Sequence, residues 1–151
     1  MTSADALTVA QRLIGTHEVA GAGNNPFIVW ALSTCNLVNA TDEVPWCSAF
    51  VNAIALLCGL ERTQSASARS WLIVGLGMPE QLAAPGDVVI FKRGTPPQPG
   101  PAVLMAQGHV GFFVSRHNGD ILVLGGNQGN AVSIESFPAA DLLGVRRLRN
   151  A

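Results

Sequence analysis

Gly108-His109-Val110-Gly111-Phe112-Phe113-Val114, then His117-Asn118-Gly119-Asp120, then Ile121-Leu122-Val123-Leu124, is the stretch on which the fold turns. Both apolar runs are built from β-branched, aromatic and leucine side chains, which fit a pleated, half-buried surface. Asn-Gly between them accepts the positive φ angles that a tight hairpin turn demands. The stretch predicts two antiparallel strands. Upstream, Pro85-Gly86-Asp87 reads as a turn leading into a strand, Val88-Val89-Ile90-Phe91. Four prolines and two glycines between Gly94 and Pro101 make that segment a loop. Downstream, Ala131–Ile134 and Gly144–Leu148 predict two further strands.

The first half has a different period. Ala6, Leu7, Ala10 and Leu13 recur at helical spacing, so a helix capped by Ser3 is expected to run to about Leu13, with Gly15 ending it. Gly21 to Asn25 is turn chemistry, and Pro26 suits the first turn of a short helix reaching about Thr34. From Pro45 to Leu57, Cys47, Phe50, Val51, Ile54 and Cys58 line one helical face, and Gly59 supplies the stop. A further short helix is expected from about Ala66 to Val74, around Trp71. Helices first and an antiparallel meander second define an α+β class, and 151 residues suit a single domain, 1–151.

Composition narrows the function. Hydrophobic residues make up 48% and charged residues 13%, with a net charge of -1, which excludes both a disordered chain and a basic nucleic-acid footprint. Arg146, Arg147 and Arg149 are the one basic cluster and are read as a solvated edge. No apolar run is long enough for a membrane span, and the first residues lack the pattern of a secretory signal. The expectation is synthesis in the cytoplasm, no stable membrane insertion and a monomer. Cys35, Cys47 and Cys58 form no close pair, so no disulfide framework is expected.

Cys47 opens an apolar helix, where unsatisfied N–H groups and the helix dipole favour a thiolate and lower a thiol pKa. Cys35 and Cys58 read as small buried residues. His109 opens an apolar strand. A cysteine at a helix start and a histidine at a strand start are what a thiol–imidazole pair requires. His17 sits in a loop and His117 in a turn, so both are weaker candidates. An imidazole base also needs an acceptor on its second nitrogen. Asn127, after the return strand, is placed to reach it, and it also suits a turn. Acidic, histidine and cysteine residues lack the spacing of a metal site, and the glycine-rich segments match no phosphate-binding motif, so no metal and no cofactor is expected.

Pro45-Trp46-Cys47-Ser48-Ala49-Phe50-Val51, Pro85-Gly86-Asp87-Val88-Val89-Ile90-Phe91, Gly108-His109-Val110-Gly111-Phe112-Phe113 and Gly125-Gly126-Asn127-Gln128, in this order, resemble the CHAP and NlpC-like cell-wall hydrolases. The stretch from Gly15 to Ile28 is similar to the N-terminal motif of a small phage and prophage lysin subgroup. The resemblance covers about residues 12 to 148. It implies a papain-like α+β fold, with Cys47 as nucleophile, His109 as base and Asn127 as orienter. It implies peptidoglycan as partner and amide bonds as substrate, cut at the muramoyl–alanine link or within stem peptides, at the cell wall. Many CHAP domains carry a Glu where this chain has Gly125, so Glu18 is the candidate carboxylate. Trp46 and Gln128 are the candidate substrate contacts. The alternatives are a toxin of the same fold acting on protein amides, and an inactive wall-binding or phage structural module.

Overall fold

A computed structural model describes all residues, Met1–Ala151. Three helices, α1 (Ser3–Gln11), α2 (Pro26–Ser33) and α3 (Cys47–Leu57), precede six strands: β1 (Leu76–Met78), β2 (Val88–Lys92), β3 (Gly108–His117), β4 (Asp120–Gln128), β5 (Ala131–Pro138) and β6 (Leu142–Arg147). The strands form one antiparallel sheet in the order β1-β6-β2-β3-β4-β5. The expected papain-like α+β fold is the one found.

Local chemistry sets the helix starts. Thr2 rather than Ser3 caps α1: its hydroxyl accepts from the Asp5 N–H, and the Asp5 carboxylate accepts from the Thr2 N–H in return. Asn25 Oδ1 accepts from the Phe27 N–H at 2.9 Å, and Pro26 opens α2. α3 starts two residues later than expected, at Cys47, with no side-chain cap. The segment around Trp71 is a 3₁₀ helix, Ala68–Ile73.

The sheet has two unequal faces. Val88, Ile90, Val110, Phe112 and Leu124 face the helices and join the main core with α3. Val89, Phe91, Phe113, Ile121, Val123 and Val145 form a smaller apolar cluster on the opposite face. α3 is apolar nearly all round and fully buried over most of its length, so it lies across the sheet as the central packing element.

The arginine cluster lies along a partly solvated edge, and two of its side chains are paired there. Arg147 makes a bidentate pair with the buried carboxylate of Asp87, both bonds at 2.8 Å, and Arg149 pairs with Glu61 at 2.6 Å. Asp87 also accepts from the Ala84 N–H, so its role exceeds the turn geometry that Pro-Gly-Asp suggests: it ties the end of β6 to the start of β2.

Candidate active site

β3 and β4 pair only from Phe112 opposite Leu124 to His117 opposite Asp120. Beyond Leu124 the strands part. On β4 the register with β5 shifts between Gly125 and Gln128, and Asn127, Gly129 and Asn130 all take positive φ. The parted strands make a fork, and His109 lies in it, at the open end of β3.

The histidine is 4% exposed. Its cross-strand partner is Phe91, which puts the ring on the sheet face away from α3. The ring stacks on Phe137, with centroids 4.8 Å apart and planes 14° apart. Its Nε2 bonds to Gln128 Oε1 at 2.9 Å. The amide's other end donates to the Val123 and Ser133 carbonyls, at 3.2 and 2.9 Å. Carbonyls only accept, so the amide orientation is fixed and Oε1 must be the atom facing the imidazole. Neutral His109 therefore carries its proton on Nε2 and keeps a lone pair on Nδ1. Burial pulls its pKa down to about 4, against a smaller upward effect of the Gln128 bond, and Arg93 adds to the lowering.

Asn127, the expected orienter, lines the pocket beside the ring and does not bond it. The left-handed residue breaks the alternation of side chains, so Gly125 and Gln128 point to the same side. A methyl group at Gly125 would stand 2.4 Å from Gln128 Oε1 and 3.4 Å from His109 Nε2. The missing side chain at Gly125 is the space through which Gln128 reaches the histidine. Gln128, expected as a substrate contact, is 5% exposed and bonds the imidazole instead.

Cys47 is the first residue of α3 and is 4% exposed. Its thiol lies against β3 within reach of the Val110 N–H, one residue along from His109. His109 makes no hydrogen bond to it. The structure thus brings thiol and imidazole to consecutive positions of one strand, reached from its two sides. The helix start was expected to lower the thiol pKa, but burial dominates and pushes it up. The N–H groups of Val110, Ser48 and Cys47 and the charge of Arg93 offset part of that. At rest the pair is a neutral thiol and a neutral imidazole.

Trp46 is fully buried, so it cannot be the substrate contact expected of it. Its indole N–H donates to Glu18 Oε1 at 2.9 Å, and its ring packs where a side chain at Gly126 would collide at 2.6 Å. Glu18 thus holds the residue preceding the thiol; it does not bond His109. Gly125 and Gly126 together leave β4 bare on both faces, against the imidazole on one side and the indole on the other. His17 bonds the Gly15 carbonyl and is exposed. Cys35 and Cys58 are buried and unpaired.

One residue that the sequence reading passed over stands out. Arg69 is fully buried and donates to the carbonyls of Gln107, Gly100, Val103 and Pro99, all between 2.8 and 2.9 Å. It clamps the proline-rich loop that delivers Gly108 and His109. Its signal, a lone charged residue in a short helix, was present but named no partner. No three His, Cys, Asp or Glu side chains are grouped to hold a metal ion, and no helix is long and apolar enough to cross a membrane.

No family profile matches the chain, and no curated protein sequence matches it. Solved structures do. The P60 domain of an antigen from M. avium paratuberculosis superposes with a TM-score of 0.55 at 15% identity, over 95% of this chain and 91% of that one. RipD of Mycobacterium tuberculosis, described as a non-catalytic NlpC/p60 domain protein adapted to peptidoglycan binding, gives 0.54 at 16% identity, over 100% and 99%. NlpC1 from Trichomonas vaginalis gives 0.51 at 15% identity over 97% of this chain, which spans 44% of that one. The fold is papain-like α+β. Within that class it is the fold of NlpC/p60 domains.

Proposed function

We propose that the chain is a thiol hydrolase of peptidoglycan amide bonds, an amidase or a stem-peptide endopeptidase, acting at the cell wall. The observation that carries this reading is the glutamine-held tautomer of His109, with its basic nitrogen free, one residue from the strand position that the helix-start thiol abuts. The motifs shared with CHAP and NlpC-like lysins and the NlpC/p60 fold of the solved structures support the choice of substrate.

The steps follow from these groups. Cys47 Sγ attacks the amide carbon while its proton passes around the open end of β3, through a bridging water, to His109 Nδ1. The N–H groups at the start of α3 stabilise the oxyanion. As the C–N bond breaks, the imidazolium returns the proton to the leaving amine. Water then attacks the thioester, giving a proton to Nδ1. The acyl group leaves as the carboxylic acid, and the sulfur recovers its proton. Gln128 holds the productive tautomer without adding charge. Burial keeps the base neutral at pH 7, ready to accept a proton. Incubation of purified sacculi with wild-type and Cys47→Ala protein, read by mass spectrometry, tests this. Wild type is expected to release fragments with one new amine terminus, and Cys47→Ala to lose about 10⁴-fold or more in rate. Release by Cys47→Ala at the wild-type rate refutes the assignment.

A second reading, a wall-binding module without turnover, draws on a different observation. Cys47 and His109 are each 4% exposed, and burial disfavours the charged form of both. RipD supports it as an example of this fold without catalysis. A thiol-reactive probe at pH 6–7 separates the two. A hydrolase is expected to label at Cys47 faster once substrate fragments open the site, and a purely structural thiol stays unlabelled with or without them.

A further inference from the structure

Thiol and imidazole reach β3 from its two sides and share no hydrogen bond, so the backbone that carries them sets their separation. Two fully buried side chains of the 3₁₀ helix Ala68–Ile73 grip that backbone at both points. Trp71 Nε1 donates to Ser48 Oγ at 2.9 Å. Ser48 follows Cys47. Its hydroxyl gives its own proton to the Ser65 carbonyl at 2.6 Å, which leaves a lone pair for the indole. Asn52 Nδ2 holds the Ser48 carbonyl from one turn further along α3, at 3.0 Å. The first turn of α3 is thereby tied to the 3₁₀ helix.

Arg69 ties down the other partner. Its Nε donates to the Gln107 carbonyl, two residues before His109, and its terminal nitrogens to the carbonyls of Pro99, Gly100 and Val103. A methyl group at Gly108 would stand 3.1 Å from Arg69 Cγ and 3.1 Å from the Phe91 carbonyl, so Gly108 is held between the arginine stem and β2. From Gly94 to Gln107 the loop has one backbone bond of its own, from the Val103 N–H to the Gly100 carbonyl. The guanidinium therefore sets its path. No carboxylate pairs with Arg69; the ion pairs of the molecule lie elsewhere. A buried charge met only by carbonyls is a poor source of stability, whereas a planar fork of five donors fixes geometry well.

We propose that the 3₁₀ helix is a brace between the two halves of the site, with Arg69 and Trp71 as positioning residues that hold the imidazole at a set distance from the thiol. The inference rests on the hydrolase reading for its chemical meaning: the brace fixes the length of the path along which the proton crosses from Cys47 to His109.

Trp71→Phe and Arg69→Lys, singly and together, test this. Trp71→Phe keeps a buried ring and removes one N–H, so its fold is expected to survive even where Arg69→Lys unfolds. Amide hydrogen exchange reads the brace without turnover. Each variant is expected to speed exchange at its far end, about tenfold beyond what its loss of global stability produces. The far end is His109 for Trp71→Phe, and for Arg69→Lys it is Phe50, whose N–H closes the first turn of α3. On sacculi, kcat is expected to fall about tenfold for Trp71→Phe and about 10²-fold for Arg69→Lys with KM unchanged, as misplaced groups rather than lost binding require. The double variant is expected to be no slower than Arg69→Lys, because one brace breaks only once; independent sites would multiply to about 10³-fold. Exchange altered only at each variant's own end, a raised KM with kcat kept, or multiplying losses overturn the proposal. The hydrolase reading fails separately. Wild type that releases nothing from sacculi ends it, and far-end exchange then decides the brace alone.

Discussion

The two ends of the β3–β4 pair are built on opposite principles. At the closed end, Asn118 and Gly119 take positive φ in a tight turn, and the ladder starts at once with His117 opposite Asp120. Everything there is local, exposed and forgiving: a methyl group at Gly119 would meet no atom within 4 Å. At the open end, left-handed residues do the reverse. They unpair the strands, turn Gln128 inward and leave two glycines between an imidazole and an indole. The same backbone device closes a hairpin in one place and opens a site in the other. The difference lies in what surrounds it. Solvent absorbs the closed end's irregularity, whereas the open end must satisfy every buried polar group from its own side chains.

Substitution at Gln128 presses hardest on that contrast. Gln128→Ala leaves His109 Nε2 and two carbonyls without partners and frees the tautomer. Turnover on sacculi is expected to fall about 10²–10⁴-fold, in the range seen when an imidazole loses its orienting partner, and stability by about 1–3 kcal/mol. Gln128→Glu instead places a carboxylate against the ring, which raises the histidine pKa. The acid limb of the pH–rate profile should then move to higher pH. An unchanged profile would show that the amide does not control the base.

A matched pair of glycine variants compares the ends directly. Gly125→Ala puts a methyl group 2.4 Å from Gln128 Oε1, so the amide must move and turnover should drop by about tenfold or more. Gly119→Ala has room but a strained φ of 81°, and should cost about 1–2 kcal/mol in a denaturant titration with turnover unaltered. Equal effects of the two on activity would erase the distinction drawn between the ends.

The smallest effect concerns acid. The folded pKa of His109, about 4, lies below its ordinary value of 6.5, so the unfolded chain binds the proton first. Its contribution is fully present above pH 6.5 and is lost progressively as pH falls toward 4, by about 3 kcal/mol at most. The unfolding free energy of His109→Gln, measured from pH 7 to 4.5, should decline less steeply than that of wild type. Parallel declines would place the acid sensitivity elsewhere.

What the sequence made legible follows the same division. The Asn-Gly turn, the α3 face and the Pro-Gly-Asp entry to β2 are local signals, and they led to an antiparallel sheet with Cys47 at a helix start. Five kinds of feature were not legible. Thr2 and Ser3 are both good caps, and only Asp5, three residues after Thr2, separates them. β1 is Leu-Gly-Met, too short and too exposed to alternate. The Asp87–Arg147 pair joins residues far apart in the chain. Asn127 was read as lying beyond the return strand; β4 instead runs on to Gln128, and the left-handed φ at Asn127 brings Gln128 rather than Asn127 to the ring. Burial of the thiol, which reverses the effect of the helix dipole, depends on the whole sheet and leaves no mark at Cys47 itself.

Gly125 carries a consequence for how such a site can change. The volume that a side chain would fill there is already occupied by the amide of Gln128. An acidic residue at 125 and a glutamine reaching in from 128 are therefore rival tenants of one space. A chain of this kind that acquires the first must surrender the second, and no stepwise path keeps both.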